Sequence, residues 1–184
     1  MAYPVLIIVD MQRGMSLSTA GERNNPSAEL EIARLLMEWR EIEAPIVHVR
    51  HISRTPESPF GPGQLGVEFQ PDFTPFDTEH VVEKNVPDAF INTGLERWLH
   101  VRGLNVVVIV GVSTNNSVEA TARTAGNLGF QTFVISDATF AFAKTDFAGV
   151  HRTADEVHAM ALANLHGEYA TVVSSDEVIQ TLLT

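Results

Sequence analysis

Apolar residues along this chain collect in four short, nearly unbroken runs: "PVLIIVD" from Pro4, "APIVHVR" from Ala44, "NVVVIVG" from Asn105 and "QTFVISD" from Gln131. None alternates with polar residues in the manner of a strand with one wet face. Continuous β-branched runs suit parallel strands covered on both sides. Two weaker runs, "HVVEK" from His80 and "YATVVS" from Tyr169, are further strand candidates.

Between these runs the period becomes helical. Leu30, Ala33, Leu36 and Met37 fall on one face, with Ser27 placed as N-cap. Leu95, Trp98 and Leu99 follow Thr93 in the same way. Val118, Thr121, Ala122, Ala125 and Leu128 form a stripe of small residues that Gly129 ends. Val157, Met160, Ala161 and Leu165 mark another helix, and "SSDEVIQTLL" a short last one. Strand and helix in alternation predict βαβ units and a parallel three-layer α/β/α fold.

One segment breaks the rhythm. From His51 to Thr78 the chain carries five prolines or glycines before Gly66 and two prolines after it, interspersed with phenylalanines. A loop of that length is either a lid or binding wall, or an insertion packed by its own aromatics.

Size and charge narrow the class. At 184 residues the expectation is one domain, residues 1–184, with a substantial core. No apolar run reaches the roughly 20 residues of a membrane span, and the N-terminus has no signal-peptide pattern. A cytoplasmic protein is therefore expected. The net charge of −11 and the lack of a basic stripe argue against nucleic acid as partner. The chain has no cysteine, which removes disulfides, cysteine-based zinc sites and thiol catalysis.

Ligands of open α/β sheets bind beyond the carboxyl ends of the strands. The first strand delivers Asp10 there, followed by Gln12; "HVVEK" delivers Lys84; "VVVIVG" delivers the Ser-Thr-Asn-Asn-Ser turn with Ser117 at its end. Asp10 follows five apolar residues, and burial raises a carboxyl pKa unless a cation such as Lys84 answers it. Each residue also has a plain structural reading: Asp10 as a turn cap, Lys84 as a solvated loop residue, Ser117 as a helix N-cap. Spacing alone does not choose between them.

The runs "VLIIVDMQ", "EKNVPDAF" and "GVSTNNSVEATARTAGNLGF", with "ISDAT" behind them, resemble the isochorismatase-like hydrolases over nearly the whole chain. That superfamily includes isochorismatases, nicotinamidases and N-carbamoyl amidohydrolases. The resemblance implies a six-stranded, mainly parallel sheet flanked by helices, a small-molecule substrate, no cofactor, and assembly as a homodimer or homotetramer. The family's amidases use an aspartate, a lysine and a cysteine, which fall here on Asp10, Lys84 and Ser117. It also implies a cis peptide at Val112–Ser113 and an oxyanion hole from the amides of Ser113 and Ser117.

The nucleophile position departs from that pattern. A thiol ionises near pKa 8.5 and an alcohol near that of water, about 15.7, so full ionisation of Ser117 costs roughly 10 kcal/mol more. Three readings follow. Ser117 works as a slower nucleophile on an amide or ester. Alternatively, Asp10 acts as general acid on an enol ether, with no nucleophile needed. The third is a catalytically weak or inactive small-molecule-binding protein on the same fold, with the serine replacing a thiol.

Nicotinamidases bind a divalent ion through an Asp-x-His motif and a further histidine. The corresponding stretch "HVRHISRTPESPF" lacks that carboxylate, and His48 and His51 point to different sides of the strand, so no metal site is expected. Softer substrate-binding candidates are Gln12, Phe60, Phe90, Asn116 and Phe142, beside Phe69, Phe140 and Asn115. His151 and His158 read as surface or helix-start residues, and Arg123 as structural.

Overall fold

The computed structural model describes residues 3–183. In chain order its strands are β1 (Val5–Val9), β2 (Ile46–His51), β3 (His80–Lys84), β4 (Val106–Val112), β5 (Gln131–Phe140), β6 (Lys144–Thr145), β7 (His151–Arg152) and β8 (Thr171–Val173). The helices are α1 (Ala28–Glu41), α2 (Leu95–Val101), α3 (Glu119–Asn127), α4 (Ala154–Leu165) and α5 (Ser175–Leu182). Six strands form one sheet in the order β3-β2-β1-β4-β5-β8, and every neighbouring pair is parallel. The α/β class and the parallel sheet are as the apolar runs predict. β6 and β7 make a separate antiparallel hairpin.

Burial explains the runs. All five residues of β1 are buried, because helices cover both faces of the sheet centre. β3 lies at the edge, where Val82 and Lys84 are buried while Val81 and Glu83 are exposed, so "HVVEK" is the least apolar run. Helices α2, α3 and α4 pack Leu95, Leu99, Ala122, Ala125 and Leu165 against Val5, Ile7, Val9 and Val107. Helices α1 and α5 pack Ile32, Leu35, Trp39 and Val178 against Leu6, Ile8, Val108 and Val110 on the other face.

Several helix faces differ from those the periodicity predicts. In α1 the buried set is Ala28, Ile32, Leu35, Leu36 and Trp39, while Leu30 and Met37 are exposed. That helix carries apolar residues on two stripes, and the stripe with the larger Trp39 buries more area. The Trp39 indole N–H also donates to the Pro4 carbonyl at 2.8 Å. Ser27 occupies the N-cap position of α1 but its side chain makes no capping bond. Leu128 and Met160 are exposed rather than core; Leu128 is the C-cap of α3, and Met160 lies away from the buried stripe of α4.

The sheet order reverses between β1 and β4, the crevice where open α/β sheets bind ligands. Two backbone features shape that crevice. Asp10 has φ 52°, a left-handed conformation that aspartate tolerates better than most residues. Gly111, with φ 115°, lies so close to β1 that a Cβ would stand 2.1 Å from the Val9 carbonyl oxygen, so only glycine fits.

The long loop after β2 folds back over this rim. Gln12, fully buried, is its anchor: Nε2 donates to the carbonyls of His51 and Val67 at 2.9 Å each, and Oε1 accepts the His51 amide at 2.8 Å. The Gln70 amide donates to the Met11 carbonyl at 3.0 Å. Every polar group of the Gln12 amide thus serves the loop, and the structure makes it a brace instead of a substrate contact.

Candidate active site

The ends of β1, β3 and β4 bring Asp10, Lys84 and Ser117 together. Lys84 Nζ lies 2.8 Å from Asp10 Oδ2 and 3.3 Å from Ser117 Oγ, although the three residues are far apart in the chain. Asp10, Lys84 and Ser117 are 1%, 2% and 5% exposed, which excludes a solvated Lys84. The Asp10 carboxylate bonds Lys84 and leaves Oδ1 unpartnered among the described residues, so it caps no turn amide. The N-cap reading of Ser117 also fails. Ser117 sits inside a π-type turn, Thr114–Val118, and α3 starts beyond it without a side-chain cap. The Val112–Ser113 peptide that leads into this turn is cis.

The electrostatics are unequal across the trio. Burial pushes the Asp10 carboxyl above its ordinary pKa, while the Lys84 ammonium and the Ser117 hydroxyl pull the other way. Asp10 Oδ2 is held by Lys84, but Oδ1 accepts no hydrogen bond among the described residues. A buried oxygen without a donor is uncommon and marks a place where a substrate proton or a water belongs. Because Lys84 donates to Ser117 Oγ, the serine hydroxyl hydrogen is free to turn elsewhere.

A fourth group at the rim escapes the motif reading. His51 ends β2 in register with Lys84, and paired residues of parallel strands share a face. Burial, and then the Lys84 charge, hold the His51 ring below its ordinary pKa, with Asp10 opposing. Its distance in sequence from Lys84 hides this; the register of an edge strand is the missing information. His48, three residues earlier, instead donates from Nε2 to Glu79 at 2.8 Å.

The aromatic candidates divide. Phe60 packs edge-on against His51, with ring centroids 6.3 Å apart, and so stands beside the site. Phe90 stacks on Phe130 within the core of the α2/α3 layer. Phe142 packs on buried Phe140 in the α1/α5 layer, where the Arg23 guanidinium covers Phe140. Phe90 and Phe142 therefore serve packing, since each ring fills space between elements. Asn116 is exposed next to Ser117. A hollow of about 580 Å³ reaches Lys84, walled by Ile52, Ser53, Arg54, Pro62, Glu83 and Asn85. The larger groove, about 680 Å³ between α4 and the β6–β7 hairpin, is lined by none of the trio. Of the trio, the hollow at Lys84 is lined by Lys84 alone.

Histidine 158 overturns the surface reading: it is buried and bonded on both ring nitrogens. Among the described residues no three histidine, aspartate or glutamate side chains gather to hold a metal, and no helix is long and apolar enough to cross a membrane.

Comparison with known proteins gives the family and the fold. The isochorismatase domain matches residues 4–177. A crystal structure assigned to an isochorismatase-family hydrolase from Chromobacterium violaceum superposes with a TM-score of 0.95 at 47% identity, covering 98% of this chain and 93% of that one. The uncharacterized isochorismatase family protein YrdC of Bacillus subtilis is 39% identical over 97% of this chain and 95% of its own. Nicotinamidase 3 of Arabidopsis thaliana is 30% identical over 97% of this chain and 88% of its own.

Proposed function

The chain belongs to the isochorismatase family of hydrolases, and on that footing we propose that it cleaves an amide or ester of a small molecule through Asp10, Lys84 and Ser117. The observation that carries this reading is the sealed contact of Lys84 Nζ with both Asp10 Oδ2 and Ser117 Oγ. The nicotinamidase relative supports an amide as the bond attacked.

In this scheme Ser117 Oγ adds to the carbonyl carbon while its proton passes to the unpartnered Asp10 Oδ1. Lys84 steadies the charge growing on Oγ, and the amides of Ser113 and Ser117 meet the new oxyanion. Asp10 then returns the proton to the leaving amine or alcohol as the scissile bond breaks. A water, deprotonated by Asp10, attacks the acyl-serine; the C–Oγ bond breaks, Asp10 passes that proton to Ser117 Oγ, and the acid is released. Raising the carboxyl pKa by burial makes Asp10 a stronger base, which a serine needs more than a thiol does.

The same raised pKa supports a second reading, in which protonated Asp10 donates to the carbon of an enol ether and water captures the cation.

Turnover of a panel of small amides, esters and enol ethers by wild type, Ser117→Ala and Ser117→Cys tests the proposal. Amide and ester turnover is expected to fall at least about a hundredfold in Ser117→Ala. It should rise about tenfold or more in Ser117→Cys, whose thiol ionises far more easily. Ester turnover unchanged by Ser117→Ala sinks the nucleophile reading, and enol-ether turnover indifferent to both variants establishes the acid route. No turnover of any panel member leaves a ligand-binding protein.

A further inference from the structure

The motif "ISDAT" has no part in the chemistry above, yet the structure ties it to the nucleophile turn. Along β4 and β5, Ile109 pairs with Val134 and Gly111 with Thr139, so two steps of β4 oppose five of β5. Such bulges re-aim groups next to active sites. Here the bulge turns the Ser136 carbonyl out of the sheet ladder, and two donors meet it: Asn25 Nδ2 at 2.8 Å and His158 Nε2 at 3.1 Å. Asn25 Nδ2 also donates to the Thr139 carbonyl at 2.7 Å.

A carbonyl oxygen only accepts, so His158 carries its hydrogen on Nε2. In a neutral ring Nδ1 is then an acceptor, and it lies 2.8 Å from the hydroxyl of Thr114. Thr114 is fully buried, follows the cis peptide, and opens the Thr114–Val118 turn that carries Ser117. Burial favours the neutral ring by holding its pKa down, against the Ser136 carbonyl and Asp155.

We propose that His158 is a positioning residue for the reaction: by accepting the Thr114 hydroxyl it fixes the turn that carries Ser117 and the amides of Ser113 and Ser117. The Ser136 carbonyl selects the tautomer, and Asn25 holds that carbonyl in place. The inference rests on the Ser117 reading given above. It adds that the exactness of the turn comes from α4 and the β5 bulge, which contribute nothing to the trio itself.

Two substitutions split the two ring nitrogens. His158→Asn keeps an acceptor where Nδ1 stood and drops the bond to Ser136. His158→Gln keeps a donor toward Ser136 and drops the acceptor for Thr114. With p-nitrophenyl acetate as probe, His158→Gln is expected to lose about tenfold or more in kcat at nearly constant KM, since small misplacements of a reacting group are costly. His158→Asn should retain most of the wild-type kcat. Thr114→Val should match His158→Gln, and the double variant should be no worse than either alone. Amide hydrogen exchange over residues 113–118 gives a readout free of turnover: faster in His158→Gln, near wild type in His158→Asn.

Equal kcat and equal exchange in the two His158 variants overturn the proposal, as does an additive double variant. If Ser117→Ala hydrolyses the probe at the wild-type rate, the underlying reading fails on kcat, and the exchange data still decide whether His158 fixes the turn.

Discussion

Two buried carboxylates in this molecule are built from similar parts and left in opposite conditions. Glu79 lies under the α1 side of the sheet, and its oxygens are saturated. Oε1 accepts Arg40 Nε at 2.7 Å; Oε2 accepts Arg40 Nη2 at 2.9 Å, the Phe76 amide at 2.9 Å and His48 Nε2 at 2.8 Å. Asp10 has one cationic partner, Lys84, and one oxygen with no donor among the described residues. Burial pushes both carboxyls up. At Glu79 the donors and the nearby positive charges more than cancel it and the pKa falls; at Asp10 burial prevails and the pKa rises. A saturated carboxylate is a brace. One kept short of partners retains the capacity to take a proton.

The sharpest way to break this comparison is to neutralise each carboxylate without changing its shape. Asp10→Asn should reduce turnover of any panel substrate by about 10³-fold, the middle of the range that a general base contributes. Glu79→Gln should leave kcat per folded molecule at the wild-type value. Steady-state rates normalised to folded protein decide it. A Glu79→Gln enzyme as crippled as Asp10→Asn would make both carboxylates part of one machine.

The next effect is on stability and runs the other way. Glu79→Gln strips the charge from the partners of Arg40 and His48 and is expected to cost about 2 kcal/mol, less than a fully buried pair because Arg40 is partly exposed. Urea denaturation reads this as a lower midpoint at an unchanged slope.

How far these roles are legible in the sequence follows from the range of the interactions. The strands are readable because a parallel strand covered on both faces must be apolar throughout, and β1 and β4 are. The trio is placed by resemblance to family motifs: Asp10 follows β1, Lys84 ends β3 and Ser117 lies in the turn after β4, all at one rim. Gln12 and His158 mislead because their partners lie 39 to 55 and 22 to 44 residues away. A glutamine after a strand looks like a pocket residue, and a histidine on a helix looks solvated, until the loop and the bulge that consume their hydrogen bonds are seen. The face of α1 is ambiguous for another reason. Leu30 and Met37 extend the periodic stripe, and only the docking of Trp39 under Pro4 sets the rotation.

The smallest expected effect sharpens the comparison through its sign. Asp10 binds its proton more tightly folded than unfolded, so its contribution to stability falls as pH rises from its ordinary value of 3.8 through its raised folded value. Glu79 binds its proton less tightly folded, so its contribution is full above its ordinary value of 4.5 and is lost as pH falls through its lowered folded value. Histidines 48, 51, 80 and 158 are all held down by burial, and folding weakens as pH drops below their ordinary 6.5. For His80 and His158 that background cancels when wild type is compared with a single variant. His51 feels Asp10 and His48 feels Glu79, so their parts change with the substitution at pH values above the carboxylate window. The stability difference between wild type and Asp10→Asn should therefore fall with rising pH, by at most about 1.4 kcal/mol per unit within its window. The difference between wild type and Glu79→Gln should rise with pH in the window just below 4.5. Denaturation midpoints across the acid range give both curves. Two curves sloping the same way would mean that the open oxygen of Asp10 is satisfied in solution and that the carboxylates are alike after all.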